Sequence, residues 1–107
     1  MTEEQKKICD DNCWKESSGE YPSLRKFYYL SVLRFLFNNG IPHKDVGVEQ
    51  FGKGKVRVIE FSTDGFNGRI TFIRSNKIDI SGKGINLKKF CGIYKSFEEL
   101  MIKLNKI

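Results

Sequence analysis

The sequence predicts an α+β fold in which an antiparallel β-meander of three or four strands packs against two main helices, with a short N-terminal helix in addition. Three observations lead to this prediction. Apolar residues recur at helical spacing in two segments, they alternate with polar residues in the segment between them, and the turns of that middle segment are short. Short connections exclude the crossovers that parallel strands require.

The 107 residues, of which 39% are hydrophobic, suffice for one domain with a modest core. We divide the chain into an acidic leader, residues 1–20, and a single basic α+β domain, residues 21–107. In the leader, Thr2 and Gln5 can form a capping box for a short helix that ends before Ser17. The apolar residues of the leader form only a ragged stripe, so its packing on the domain is left open.

The first main helix is predicted from Ser23, which can cap it, to about Asn38. Asn39, Gly40 and Pro42 then supply the signals that end a helix. Apolar residues cover most of the circumference of this helix, which is more than one buried face requires. Such a helix is either central to the core or part of an interface, and the second alternative predicts a homodimer.

The strands are predicted between residues 45 and 82, where the apolar period changes to two. Glycine-rich or Ser-Asn turns at 52–54, 63–68 and 75–76 separate them. The adjacent Val58 and Ile59 break the alternation, which indicates a bulge or burial on both faces.

The last helix is predicted from a second capping box, in which Ser96 precedes Glu99 by three residues. Phe97, Leu100 and Leu104 follow at helical spacing and should pack on the sheet. The segment 85–95 before it fits neither period.

Charge is distributed unevenly, with a net charge of −3 in residues 1–20 and +9 in residues 21–107. A strongly basic domain is typical of proteins with a polyanionic partner, so the predicted partner is nucleic acid or an acidic protein surface. The remaining alternative is a basic surface that serves solubility alone.

A basic surface is predicted on one face of the sheet. If Ile70 and Phe72 face the helices, Arg69 points to the opposite face, and alternation with Val56 and Val58 would place Arg57 beside Arg69. Lysines in the adjoining turns would complete the patch. The alternative is that both arginines pair with Glu60 and Asp64. The predicted binding residues are Lys53, Lys55, Arg57, Arg69 and Lys83.

The chain offers little material for catalysis, because His43 is its single histidine. Cys9, Cys13, Cys91 and His43 lack the paired spacing of a zinc site. No metal or cofactor is therefore predicted.

The order helix, meander, helix resembles the core of the restriction-type nucleases, which hold a divalent metal with an acid on one strand and Glu-x-Lys on the next. In this chain the corresponding segment is Glu60-Phe61-Ser62, with serine at the position of the lysine. The resemblance fails at its catalytic residue, and the protein is predicted not to be an enzyme.

The odd number of cysteines and an N-terminus without a basic start or an apolar core predict a reduced, cytoplasmic protein. No apolar run approaches the about 18 residues of a membrane span, so no membrane partner is expected.

These observations predict a small non-enzymatic nucleic-acid-binding accessory protein that uses a basic face. The alternative is a protein-binding regulator or inhibitor of a nucleic-acid enzyme, such as an anti-defence (anti-CRISPR-like) protein. The absence of alanine and the abundance of lysine, isoleucine and asparagine indicate an AT-rich genome, as in many phages and mobile elements.

Overall fold

The computed structural model describes residues 1–63, 65–85 and 87–105. Within these ranges the chain forms four helices and five strands. In chain order they are α1 (Glu3–Asp11), α2 (Leu24–Asn38), β1 (His43–Phe51), β2 (Gly54–Thr63), β3 (Phe66–Arg74), β4 (Lys77–Gly84), α3 (Leu87–Phe90), β5 (Gly92–Tyr94) and α4 (Phe97–Leu104).

The strands form one antiparallel sheet in the order β1-β2-β3-β4-β5, which confirms the predicted α+β class with a meander. The sheet has one strand more than the three or four predicted. The additional strand is β5, which pairs with Ile78–Ile80 of β4. Three residues are too few to show a two-residue period, so the sequence pattern could not reveal β5.

Strand β1 lies at one edge of the sheet, and its register with β2 shifts between Asp45 and Gly47. Gly47 has a φ of +89°, in the left-handed region that glycine adopts at little cost. The shift is a β-bulge, which bends the strand locally.

Side-chain caps begin the three longer helices. Thr2 and Gln5 form the predicted capping box, and the Ser23 hydroxyl accepts a hydrogen bond from the backbone N–H of Lys26. At α4, Ser96 accepts from the N–H of Glu99, whose carboxylate accepts from the N–H of Lys95. In a capping box Glu99 would accept from the N–H of Ser96, so the donor observed here lies one residue earlier than expected. Each cap is worth about 1 kcal/mol.

The core lies between one face of the sheet and the helices. Ile70 and Phe72 face the helices and are fully buried, as predicted, whereas Arg69 and Thr71 lie on the other side, which we call the open face. The most deeply buried residues of this core are Val32, Leu36, Ile59, Phe61, Phe66, Ile70, Phe72, Ile78, Ile80, Phe90, Leu100 and Leu104.

The leader packs on α2. Cys9 is fully buried, the Trp14 ring meets the Phe27 ring edge-on at 6.0 Å, and Glu16 forms an ion pair with Lys26 at 2.7 Å. Among the apolar side chains of α2, only Phe37 is exposed. The apolar surface that suggested a homodimer is thus largely covered within the chain, and the homodimer stays a prediction.

Two glycines make room for aromatic rings in the core. Gly68 lies directly opposite Gly82 on β4 and opposite Phe61 on β2. A Cβ atom on Gly68 would lie 2.5 Å from ring carbons of both Phe61 and Phe66. The Phe66 ring also contacts that of Phe90, with 5.1 Å between centroids. The absence of side-chain atoms at the two glycines therefore lets this ring cluster lie against the sheet.

Tyr94 gives the fold a pH dependence that can be measured. Its buried hydroxyl donates to the carbonyl oxygen of Phe90 at 2.6 Å, and burial raises the pKa of Tyr94 above its ordinary value of 10.0. Because the unfolded chain ionises first, stability is complete below pH 10.0 and declines as the pH rises through the raised pKa. We expect Tyr94→Phe to cost about 1 kcal/mol at neutral pH and to reduce this alkaline loss. Urea denaturation across the alkaline range tests this, and an unchanged alkaline loss would contradict it.

None of the helices in the described ranges is long and apolar enough to cross a bilayer.

Candidate basic binding cleft

One end of the sheet gathers two hairpin turns and the start of α2. The β1–β2 and β3–β4 turns lie at the same end because alternate connections of a meander share an end. Arg25, in the first turn of α2, donates to the carbonyl oxygens of Lys55 at 3.0 Å and Ile73 at 3.1 Å. These carbonyls lie beyond the last β2–β3 pair, Arg57 and Phe72, so Arg25 fastens the helix to both strand ends.

A cleft of about 570 Å³ opens at this end, and we call it the basic cleft. Four of its lining residues are cationic, and none of the described residues that line it carries a carboxylate. Lys53 lies in the adjoining turn. The lining residues are Arg25, Phe51, Gly54, Lys55, Val56, Ile73, Arg74 and Lys77.

The cations of the basic cleft are not neutralised within the described part of the chain. Lys55, Arg74 and Lys77 are exposed, and the ion pairs found among residues 1–63, 65–85 and 87–105 involve other cations. Like charges held together repel one another, so an anion in the cleft would be favoured electrostatically. Guanidinium and ammonium groups both donate strong hydrogen bonds to phosphate or carboxylate oxygens.

Arg69 is on the open face, as predicted, but it is not part of the basic cleft. Its guanidinium forms an ion pair with Glu49 of β1, across the intervening strand β2. Glu60 is its direct neighbour in the sheet register. Arg69 thus pairs with a carboxylate, but with that of Glu49 and not with that of Glu60, which the alternative had named. Asp64, the other predicted partner, lies outside the described residues.

The expectation that Arg57 lies beside Arg69 is wrong. Arg57 pairs with Phe72 in the sheet register, which places it on the helix side, and its guanidinium carbon lies 5.4 Å from the centre of the Tyr29 ring. This cation–π contact holds Arg57 against α2.

The physical reason is that β2 is buried on both faces. Val56 and Val58 are 4% and 1% exposed although they lie on the open face, while Ile59 and Phe61 are buried on the helix side. Val56 and Val58 therefore do not identify the side of β2 that packs on the helices. Alternation counted from these two valines places Arg57 on the wrong face of the sheet.

The five predicted binding residues do not form one patch. Lys83 pairs with Asn67 near the β2–β3 turn, at the opposite end of the sheet from Lys53 and Lys55. Arg57 and Arg69 lie on opposite faces. The structure adds three cations that the site prediction had left out, namely Arg25, Arg74 and Lys77.

A second depression, of about 440 Å³, lies on the open face, and we call it the sheet-face cavity. It shares Phe51, Val56, Ile73 and Lys77 with the basic cleft, so the two depressions adjoin each other. Phe51 stands at their junction and is 55% exposed. The sheet-face cavity is lined by Glu49, Gln50, Phe51, Val56, Val58, Arg69, Thr71, Ile73, Lys77, Asp79, Ser81 and Ile93.

The described residues contain no group of three or more His, Cys, Asp or Glu side chains placed to hold a metal ion. Cys9, Cys13 and Cys91 are free thiols. The exposed ring of His43 contacts the carbonyl of Ile41 through Nδ1 at 2.8 Å.

A scan against models of protein families found no match for this chain. Searches of curated proteins and of solved structures likewise found no similar protein.

Proposed function

We propose that this protein binds nucleic acid through the basic cleft and acts as a small, non-enzymatic accessory protein. The observation that carries the proposal is a cleft lined by four cations and no carboxylate among its described lining residues. Phosphates supply repeated negative charge, and their neutralisation by lysine and arginine releases counterions, which is the main source of nonspecific affinity for nucleic acid.

The shape of the cleft supports this choice of ligand. Its four cations come from four separate elements, with Arg25 on α2, Lys55 on β2, Arg74 at the end of β3 and Lys77 at the start of β4. Arg25 is held in place by two carbonyl oxygens, and a guanidinium has five N–H donors, so it can also donate to a phosphate. A cleft walled by different elements suits a chain of phosphates that passes between the two hairpins.

The second candidate is an acidic protein surface, with the protein acting as a regulator or inhibitor of a nucleic-acid enzyme, for example as an anti-defence protein. It is favoured by the exposed apolar side chains beside the cations, Phe51 at 55% and Ile93 at 60% exposure. Apolar anchors within a charged rim are common in protein interfaces.

Salt dependence tests the nucleic-acid proposal. If the four cleft cations each neutralise one phosphate of a single strand, the logarithm of the binding constant should fall against the logarithm of salt concentration with a slope of about −3. Affinity should then drop roughly 50-fold between about 50 and 200 mM salt. Fluorescence anisotropy of a labelled mixed-sequence oligonucleotide measures it. Affinity that stays flat across this range, or no binding at low salt, would contradict the proposal.

A further inference from the structure

The adjacency of the two depressions indicates which form of nucleic acid fits. A ligand whose phosphate lies among Arg25, Lys55 and Arg74 would have the sheet-face cavity directly beside it. Phe51 stands between the two, with more than half of its side chain exposed. Any part of the ligand that extends from a bound phosphate onto the open face would therefore contact the Phe51 ring.

The sheet-face cavity has the chemistry of a base site. Its apolar lining includes the exposed side chains of Phe51 and Ile93, whereas Val56 and Val58 are almost fully buried. Its sides carry hydrogen-bonding groups at neighbouring register positions, Thr71 opposite Asp79 and Arg69 opposite Ser81. An exposed aromatic ring and an exposed aliphatic side chain suit the face of a base, while hydroxyl, carboxylate and guanidinium groups suit its edges.

Paired bases could not use this cavity. In a duplex the bases are stacked and their faces are covered, and the extrusion of one base costs a few kcal/mol. A single strand presents its bases without that cost. The volume of about 440 Å³ lies within the range of small-ligand pockets.

We infer that the ligand is single-stranded nucleic acid, bound with its phosphates in the basic cleft and an unpaired base on Phe51 in the sheet-face cavity. The inference rests on the proposed function and specifies its ligand. The exposed ring of Phe51 would then distinguish single strands from duplexes, whereas the cations would attract both.

The test is Phe51→Ala against labelled oligonucleotides of one sequence, as single-stranded DNA, as single-stranded RNA and as duplex DNA. We expect an affinity loss of about 10-fold for the single strand that binds more tightly, because one base–aromatic stack is lost. Duplex affinity should change less than about twofold, since the duplex contacts the cations alone. The control is Phe37→Ala, which removes an exposed ring, 75% exposed, that lines neither depression. It should leave all three affinities unchanged.

A second variant reports on stacking directly. Phe51→Trp should show indole fluorescence quenched on addition of the single strand, whereas the wild-type signal comes from Trp14, which packs against Phe27 in the helix layer. Equal losses on single strand and duplex for Phe51→Ala, no loss on either, or unquenched indole fluorescence in Phe51→Trp would overturn the inference while leaving cleft binding intact. If the wild-type protein binds none of the oligonucleotides, the proposed function itself fails.

Discussion

Replacement of Lys55 and Arg74 by glutamate is expected to lower the affinity for single-stranded oligonucleotide by about 100-fold or more. One residue comes from each hairpin, and both line the basic cleft. Each loses a charge-assisted hydrogen bond worth about 1.5–3 kcal/mol and introduces repulsion against the phosphates. Anisotropy at fixed salt measures the loss. Both side chains are exposed, so the melting temperature should change little.

The matched control is Lys83→Glu with Lys88→Glu. These residues are also exposed cations, and the substitutions change the net charge by the same amount. Lys83 lies at the opposite end of the sheet and neither residue lines the basic cleft. We expect a loss of less than about fivefold, from long-range charge alone. Equal losses for the two double variants would mean that total charge and not the cleft determines binding.

Substitution of Gly82 by valine should strongly lower the stability of the fold. A Cβ atom at this position would collide with the backbone carbonyl oxygen of Asn67 and lie 2.9 Å from the Phe66 ring. Backbone cannot give way as a flexible side chain can, so β3 and β4 would have to move apart. We expect the free energy of unfolding to fall by about 3–5 kcal/mol, a large part of the stability of an ordinary domain. Urea denaturation followed by circular dichroism measures this loss.

Gly54→Ala serves as the control for Gly82→Val. A Cβ atom on Gly54 would meet nothing closer than the carbonyl oxygen of Phe51, at 3.9 Å. The change should alter stability by less than about 1 kcal/mol. If the two variants unfold at the same urea concentration, the glycine pair does not have the packing role that we describe.

The faces of β3 could be predicted from sequence, but those of β2 could not. Alternation predicts β3 correctly because Ile70 and Phe72 are apolar and their neighbour Arg69 is not. On β2 both faces are apolar, so alternation allows two opposite phases. Alternation counted from Ile59 and Phe61 would have placed Arg57 correctly, on the helix side of the sheet.

The basic cleft was only partly predictable from sequence, since only Lys55 among its four cations belongs to the predicted binding residues. Lys53 and Lys55 were predicted as binding residues, and the meander alone implies that the turns at 52–54 and 75–76 share one end of the sheet. That topology could have added Arg74 and Lys77. Arg25 could not be found in this way, because its place depends on how α2 crosses the sheet, and no sequence period specifies a crossing angle.

The bulge at Gly47 affects the tendency of the protein to aggregate at high concentration. A free sheet edge can template the addition of other chains and so begin a fibril. The register shift divides β1 into His43–Asp45 and Gly47–Phe51, so each regular stretch is shorter than the roughly six residues of a steric zipper. Lys44 and Glu49 add charge to the two stretches. The same bend that shapes this edge of the sheet therefore discourages amyloid-like growth from it.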